Sequence, residues 1–529
     1  MIRLDVQDLL GRFRIPQERL LPRLPKGEYT LADSAMTLDV RLPLYSEGAQ
    51  CRRETRRAAV KLLTIGVCAT GRNDYAAALN DALWAITQED AWGFDKSGLL
   101  DIPALETGAL LATSVSLAGS AVMAEVAERV RRAVHERIFK PLGDCPKLNF
   151  LADDHVERGC LAVLECVAYL GETGSSRWLW LKKTLSLLDA YLRGGGLPGL
   201  PPYRETAQRL AALAELLRLL SVTTGATFPL NDLSEEALLL CASVAENGFY
   251  VSPGPGGMTQ GVEPALLYHI GKHASQPHLM RTAAYLAQSG GNAVPMHAPL
   301  SILAQIAAEE NAFAGEISEH SVRPSEYFER EILFCARGES LFCAMHGGSG
   351  YHADAGDLCL FANGQPILID LGDTARADWH NVPEVNGVMQ KRGLLAKDAD
   401  HRVDPSYSVL SLSLTDAYAK EARIRSWQRT LLKTQTGTVR LIDMFDMEGT
   451  GRADFRFITP VSPKRDENGI LLGPVRLTWD GMPLSWRVDS VTPKEGSPFE
   501  TVYRITLTMQ QDAAGGSVTF TFENASNNN

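Results

Sequence analysis

Residues 341–390, LFCAMHGGSGYHADAGDLCLFANGQPILIDLGDTARADWHNVPEVNGVMQ, hold His346, His352, Asp354, Asp370, Asp373, Asp378 and His380 in apolar runs broken by glycine turns. LCLFANGQPILID predicts a β-hairpin. Two β-prone runs flank Asn363-Gly364, a dipeptide suited to a type I′ turn because both central residues need positive φ. Pairing across that turn puts His352, just before the first strand, and Asp370, at the end of the second, at the same end of the hairpin, and His380 returns from the next loop. Two imidazoles and a carboxylate converging there suit Zn²⁺, which takes nitrogen and oxygen ligands. The same residue types also serve turn-rich β segments for solubility and Asx-turns, and Asp354 reads equally well as a cap on the turn at Ala355-Gly356.

Working outward, the pattern from about Thr55 to Ala314 is helical, with apolar residues recurring at three and four in windows rich in Ala and Leu, such as YAAALNDALWAITQ and YRETAQRLAALAELLRLLSVTTG. Glycine-containing breaks separate most of these helices, as left-handed caps do. Between Ser321 and Glu331 the period changes, and from GESLFCAMHGG to Phe522 the segments alternate as strands, predicting stacked antiparallel sheets. The expected organisation is a helical domain over 1–320, as a toroid or a solenoid, and a β domain over 321–529.

The length, 529 residues, exceeds what one hydrophobic core serves. A net charge of −11 disfavours nucleic-acid binding and gives no general attraction for anionic glycans, so a polyanion needs a local basic cleft. Nine cysteines without a C-x-x-C pairing sit mostly in apolar runs, as buried free thiols do in a reducing compartment. The N-terminal MIRLDVQDLLGRFRIPQERL lacks the basic-then-apolar order of a signal peptide, and no run reaches the roughly 18 apolar residues of a membrane span. The expectation is a cytoplasmic protein.

YHADAGDLCLFANGQPILIDLG followed by WHNVPEVNGVMQ resembles the signature of the heparinase II/III-like polysaccharide lyases, H-x-H-x-D-x-G, an apolar hairpin ending in D-x-G, then H-N and N-G-x-x-Q. The resemblance implies an α+β multidomain fold, an N-terminal α/α toroid followed by an antiparallel β-sandwich, and selects the toroid over the solenoid. It implies structural zinc on His352, Asp370 and His380, and a uronate-containing oligosaccharide or polysaccharide as partner. The implied activity is lyase cleavage by β-elimination, on short imported oligosaccharides if the protein is cytoplasmic. The first His of H-x-H falls on Gly350, and the loop before H-N is only DTARADW. Both departures favour the alternative of a non-catalytic glycan-binding or structural relative that keeps the metal; metal-assisted hydrolysis is a third possibility.

β-Elimination requires neutralising the uronate carboxylate, removing the C5 proton and protonating the leaving oxygen. By resemblance, RGGGLPGLPPYRETAQ places Tyr203 as the family's catalytic tyrosine, with packing of the loop as the alternative. CPKLNFLADDHVERG offers Asn149-Phe150 or Asp154-His155 for the motif that enters the cleft, so Asn149 and His155 are both candidates, although His155 also reads as an exposed histidine at a helix start. In LLDIPALETGALL, Asp101 and Glu106 are expected to order a helix start. Arg158, Arg204 and Arg376 are basic candidates for the carboxylate.

Overall fold

The computed structural model describes residues 2–16, 20–36, 49–93, 101–144, 155–172, 174, 176–194, 203–229, 231–245, 249–251, 262–290, 293–318, 325–350, 352–371, 377–404, 406–467, 469–493 and 497–525. Short helices α1 (Val6–Arg12) and α2 (Leu31–Met36) precede a ring of alternating inner and outer helices. The inner helices are α3 (Ala49–Thr70), α5 (Ile102–Ala118), α8 (Val156–Tyr169), α10 (Tyr203–Thr224), α12 (Pro264–His273) and α14 (Leu300–Ala314). Each packs on the next, and α14 returns to α5. The outer members are α4 (Asn73–Thr87), α6 (Ala124–Val134), α9 (Ser176–Arg193), α11 (Asn231–Ala242) and α13 (Pro277–Gly290), with the short α7 (Lys140–Asp144) beside α9. Burial explains the composition of the inner ring. Every described residue of α12 from Pro264 to Gly271 is buried, and so is every residue of α8 except Arg158, because α8 has neighbours all round.

The long apolar stretch after Ile102 is interrupted by a 3₁₀ turn at Gly119–Ala121, where Gly119 adopts φ +54°, so it yields α5 and α6 rather than one helix. Residues 102–121 are long and apolar enough to cross a membrane, but α5 is a core helix packed against α3 and α8.

After α14 the chain is β-structure in three antiparallel sheets. The first runs in order β1 (Ser325–Phe328), β2 (Leu333–Arg337), β3 (Leu341–His346), β4 (Leu358–Ala362) and β5 (Gln365–Leu368). A short β6 (Glu384–Val385) joins a four-stranded sheet with β11 (Ala453–Thr459), β16 (Val502–Met509) and β15 (Leu484–Val491). The third sheet has eight strands: β7 (Lys397–Val403), β8 (Tyr407–Ser413), β9 (Ile424–Thr434), β10 (Val439–Gly451), β17 (Ala513–Asn524), β14 (Val475–Asp480), β13 (Gly469–Leu472) and β12 (Lys464–Asp466).

One face of the first sheet, carrying Phe334, Cys343, Met345 and Leu360, shares a core with Leu431, Leu441, Phe455 and Phe520 of the other two sheets. Its opposite face, carrying Cys335, Phe342, Ala344 and Phe361, packs on Leu239, Ala242 and Ala245 at the end of α11. Burial on both sides accounts for the unbroken apolar runs LFCAMH and LCLFA, whereas β8, with one face in contact, alternates. This sheet is the seam between toroid and sandwich. Arg337 reinforces it by donating to the carbonyls of Ala242 and Val244.

Candidate functional site

The Asn363-Gly364 turn has φ +47° and +75° and joins paired Ala362 and Gln365, so β4 and β5 form the two-residue hairpin. Its open end meets two loops, one following β3 and one following β5. In the first loop His346, the last residue of β3, pairs by backbone with Asp357 and Gly356. Between them the chain folds on itself: Ser349 N donates to Asp354 Oδ1 (3.0 Å), His352 N donates to Ser349 Oγ (3.1 Å), and Gln390 clamps Ala355 at both its N–H and its carbonyl (2.9 and 2.8 Å). Asp354 therefore closes the loop from inside rather than capping the Ala355-Gly356 turn.

Asp357 ties this loop to the second. Its Oδ1 accepts from Leu358 N (2.7 Å), Asn381 N (3.0 Å) and Asn381 Nδ2 (2.7 Å), while Oδ2 meets His380 Nδ1 at 3.0 Å. Asn381 also donates to Leu358 O and Ile369 O and accepts from Ile458 N, which joins the loop to the four-stranded sheet. Underneath, buried Arg429 holds Asp443 in a two-pronged pair and donates to the carbonyls of Gly356 and Asn381.

Asp370 brings the groups together. It lies 3.2 Å from His380 Nδ1, forming one potential cation-holding trio with Asp357, and a second with His346 and Asp354. The imidazole of His352 lies beside that of His380, with ring centroids 5.4 Å apart. The three residues assigned to zinc are thus neighbours, although the tightest trios recruit Asp357, His346 and Asp354 instead of His352. Burial alone would keep His380 neutral, but Asp370 and Asp357 outweigh it and raise its pKa well above the usual value. Burial and the neighbouring His380 push His352 down.

A cation fits this donor set. Three carboxylates are buried here, and His352 Nδ1 and Asp354 Oδ2 are enclosed without a hydrogen-bond partner. Leaving such atoms unsatisfied costs about 1–3 kcal/mol each. His346 Nδ1 accepts from Gly348 N (3.1 Å), so the neutral ring carries its proton on Nε2 and presents a donor rather than a ligand lone pair. Asp357 stands to His380 as outer carboxylates stand to metal-bound histidines.

Gly350, where the resembling lyases carry an imidazole, adopts φ +74°, and a Cβ there would meet nothing within 4 Å. His346 does not fill that space, since its ring is buried in the cluster.

The helical candidates are placed differently. Tyr203 begins α10 but is buried at 3% exposure; its hydroxyl donates to Leu240 O (2.9 Å), its ring packs on Tyr250 at 4.0 Å, and burial raises its pKa well above the usual value. That is the environment of a packing tyrosine, opposite to the one that activates a phenol as base. His155 occupies the N-cap position of α8, half-buried, without a side-chain capping bond. Asn149, Phe150, Asp154 and Arg376 lie outside the described residues. Asp101 caps α5 through Ala104 N (2.9 Å), as its helix-start reading expects.

Arg158, in the first turn of α8, lines a cavity of about 230 Å³ walled by the inner helices α3, α5 and α8, together with Arg53, Arg57 and Lys61. Trp92 also lines it, and Glu106 holds Arg158 at 2.7 Å. Burial pushes the Glu165 carboxyl, on the same wall, up to about 8 and the Lys61 ammonium down to about 8. Paired shifts of this kind in a cleft mark functional sites more often than surface charges do. The sequence reading named Arg158 but missed the others, because residues 53, 57, 61 and 165 converge only when the helices close into a ring.

No protein-family model matches the sequence, and no curated protein matches it. Similarity is found among solved structures. The crystal structure of heparinase III superposes with a TM-score of 0.66 at 10% identity, covering 98% of this chain and 89% of that one. A mutant heparan sulfate lyase from Pedobacter heparinus gives 0.61 at 12%, covering 98% and 87%. The chondroitin AC lyase of Streptomyces coelicolor, in complex with chondroitin sulphate, gives 0.55 at 12%, covering 98% and 82%. Over nearly its whole length, therefore, the chain has the toroid-and-sandwich fold seen in these lyase structures.

Proposed function

We propose that the protein is a lyase that cleaves uronate-containing glycans by β-elimination. The observation that carries this reading is the cationic cavity in the toroid. In a chain of net charge −11, three arginines and a lysine line one hollow with Trp92; burial keeps Glu165 on its wall protonated near neutrality, so the four cations outnumber Glu54 and Glu106 and leave the local excess of positive charge that an acidic sugar needs. Arg158 or Arg53 pairs with the uronate carboxylate and makes the C5 proton more acidic. His155, at the start of the same helix as Arg158, takes the C5 proton as the bond from C4 to the leaving oxygen breaks and returns that proton to the leaving oxygen, with Asn149 from the preceding segment holding the carboxylate. No proton step is assigned to Tyr203, whose hydroxyl is engaged inside the fold.

Zinc held by His352, Asp370 and His380, with Asp357 orienting His380, would neutralise the buried carboxylates and brace the hairpin against the loop that follows it. Chain residues alone carry the sugar chemistry.

The test is a screen for unsaturated products, read by absorbance of the new C4=C5 bond, on heparan, chondroitin, alginate and bacterial uronate oligosaccharides. His155→Ala is expected to lose about 10²–10⁴-fold in rate, as a positioned acid or base does. A second reading, a glycan-binding relative without activity, is favoured by left-handed Gly350 over open space. It takes precedence if oligosaccharides bind, Arg158→Ala abolishes that binding and no product forms.

A further inference from the structure

Away from the hairpin, a second set of metal-type donors joins α12 to α14. His269 and His273 are spaced i, i+4 on α12, so both rings project from one face, with centroids 4.4 Å apart. Glu309 of α14 faces them: His269 Nδ1 lies 3.2 Å from its Oε2 and His273 Nε2 lies 3.3 Å from its Oε1. One ligand atom from each residue falls within 4.8 Å of the other two. A tetrahedral ion with bonds of about 2.0–2.1 Å to nitrogen and oxygen has ligand–ligand edges of about 3.3 Å, which matches both separations.

Hydrogen bonding among these groups does not explain the arrangement by itself. His273 Nε2, despite its closeness to Glu309, is a buried nitrogen outside hydrogen-bond geometry. His269, with 0% exposure, leaves Nε2 without a partner while Nδ1 faces the carboxylate. Neither tautomer of His269 satisfies both ring nitrogens. Moving its proton to Nε2, which frees the Nδ1 lone pair for a metal, exchanges one unsatisfied atom for another. Lys272 Nζ, 3.0 Å from Glu309 Oε1 and 44% exposed at its side chain, is the one cation now on the carboxylate among the described residues, and it can swing into solvent.

We propose that His269, His273 and Glu309 form a second, independent binding site for a borderline divalent cation such as Zn²⁺, Co²⁺ or Ni²⁺, entered from the Lys272 side. Two imidazoles and one carboxylate suit those ions rather than Mg²⁺ or Ca²⁺, which prefer all-oxygen shells. The ion would replace the Lys272 ammonium and pin α12 to α14, the helix that closes the ring against α5. Its role is to brace the toroid, as zinc in the hairpin would brace the sandwich.

The full chain, stripped with chelator, is dialysed against Co²⁺ or Zn²⁺, and bound metal is counted beside the metal-induced rise in melting temperature. His273→Gln, at a partly exposed ring, is expected to hold one equivalent fewer than wild type and to lose part of that rise. Glu309→Gln is expected to lose the same equivalent, and Lys272→Ala to keep it with several-fold tighter binding. Because the count is a difference from wild type, occupancy of the hairpin does not affect it. Equal metal content in wild type and a folded His273→Gln would overturn the proposal, as would a wild type that takes up no ion.

Discussion

Replacing Arg429 by Met tests the support beneath the hairpin site. The guanidinium is 1% exposed and makes four bonds, two to Asp443 (2.9 and 2.8 Å) and one each to the carbonyls of Gly356 (3.0 Å) and Asn381 (2.7 Å). Methionine fills much of the volume but supplies no donor. Asp443, 0% exposed, would keep only Trp427 Nε1 (2.8 Å) against its charge. Removing one partner of a buried pair costs about 3–5 kcal/mol, and each orphaned carbonyl about 1–3 kcal/mol more, with incomplete additivity. Against a typical stability of about 5–15 kcal/mol, that is a large share. Asp443→Leu removes the charge, so the double variant is expected to recover much of the loss but not all of it. Gly356 and Asn381 still lack their donor, and they border Asp357 and His380. Urea unfolding of wild type, both single variants and the double variant gives the cycle. A destabilisation by Arg429→Met of less than about 1 kcal/mol, or a double variant no better than the single, would refute the reasoning.

Asp357→Asn keeps an acceptor for the backbone but turns an amide towards His380, so zinc affinity is expected to fall about 10–100-fold in chelator competition. Tyr203→Phe removes the hydroxyl that bonds Leu240 O and is expected to lower stability by about 0.5–1.5 kcal/mol in denaturant melts while sparing turnover of any proven substrate. Glu165 has a folded pKa of about 8 against an ordinary value of 4.5, because burial disfavours its anion. Between those values the folded chain keeps a proton that the unfolded chain releases, so this group's stabilisation declines as pH rises through the window, by up to about 1.4 kcal/mol per pH unit. Glu165→Gln cannot ionise. Its melting temperature relative to wild type is expected to climb from pH 5 to pH 8, and parallel profiles would exclude the shift.

The local signals of fold were in the sequence. Period-three-and-four apolar spacing marked the helices, period two marked the strands, and Asn363-Gly364 marked the hairpin, because backbone sterics and one-sided burial act on neighbouring residues. β7, KDADHRV, escaped: it is an edge strand exposed along its whole length, so it carries no apolar alternation. The alternation missing from LFCAMH likewise made sense only once α11 was seen to cover the second face. At the site, spacing alone brought His352 and Asp370 to one end of the hairpin. That Asp357 would hold His380 and Asn381, or that Arg429 would support both loops, depends on hydrogen bonds between residues 23 to 73 positions apart. Tyr203 shows the limit most clearly. The resemblance named it from its place after a glycine-rich loop, but the packing of α10 on α11 and Tyr250 decided where its hydroxyl points. Sequence determines which local conformations and which donor chemistries are available; closing the ring and stacking the sheets decides which side chains meet, because burial and long-range hydrogen bonds exist only in the folded chain.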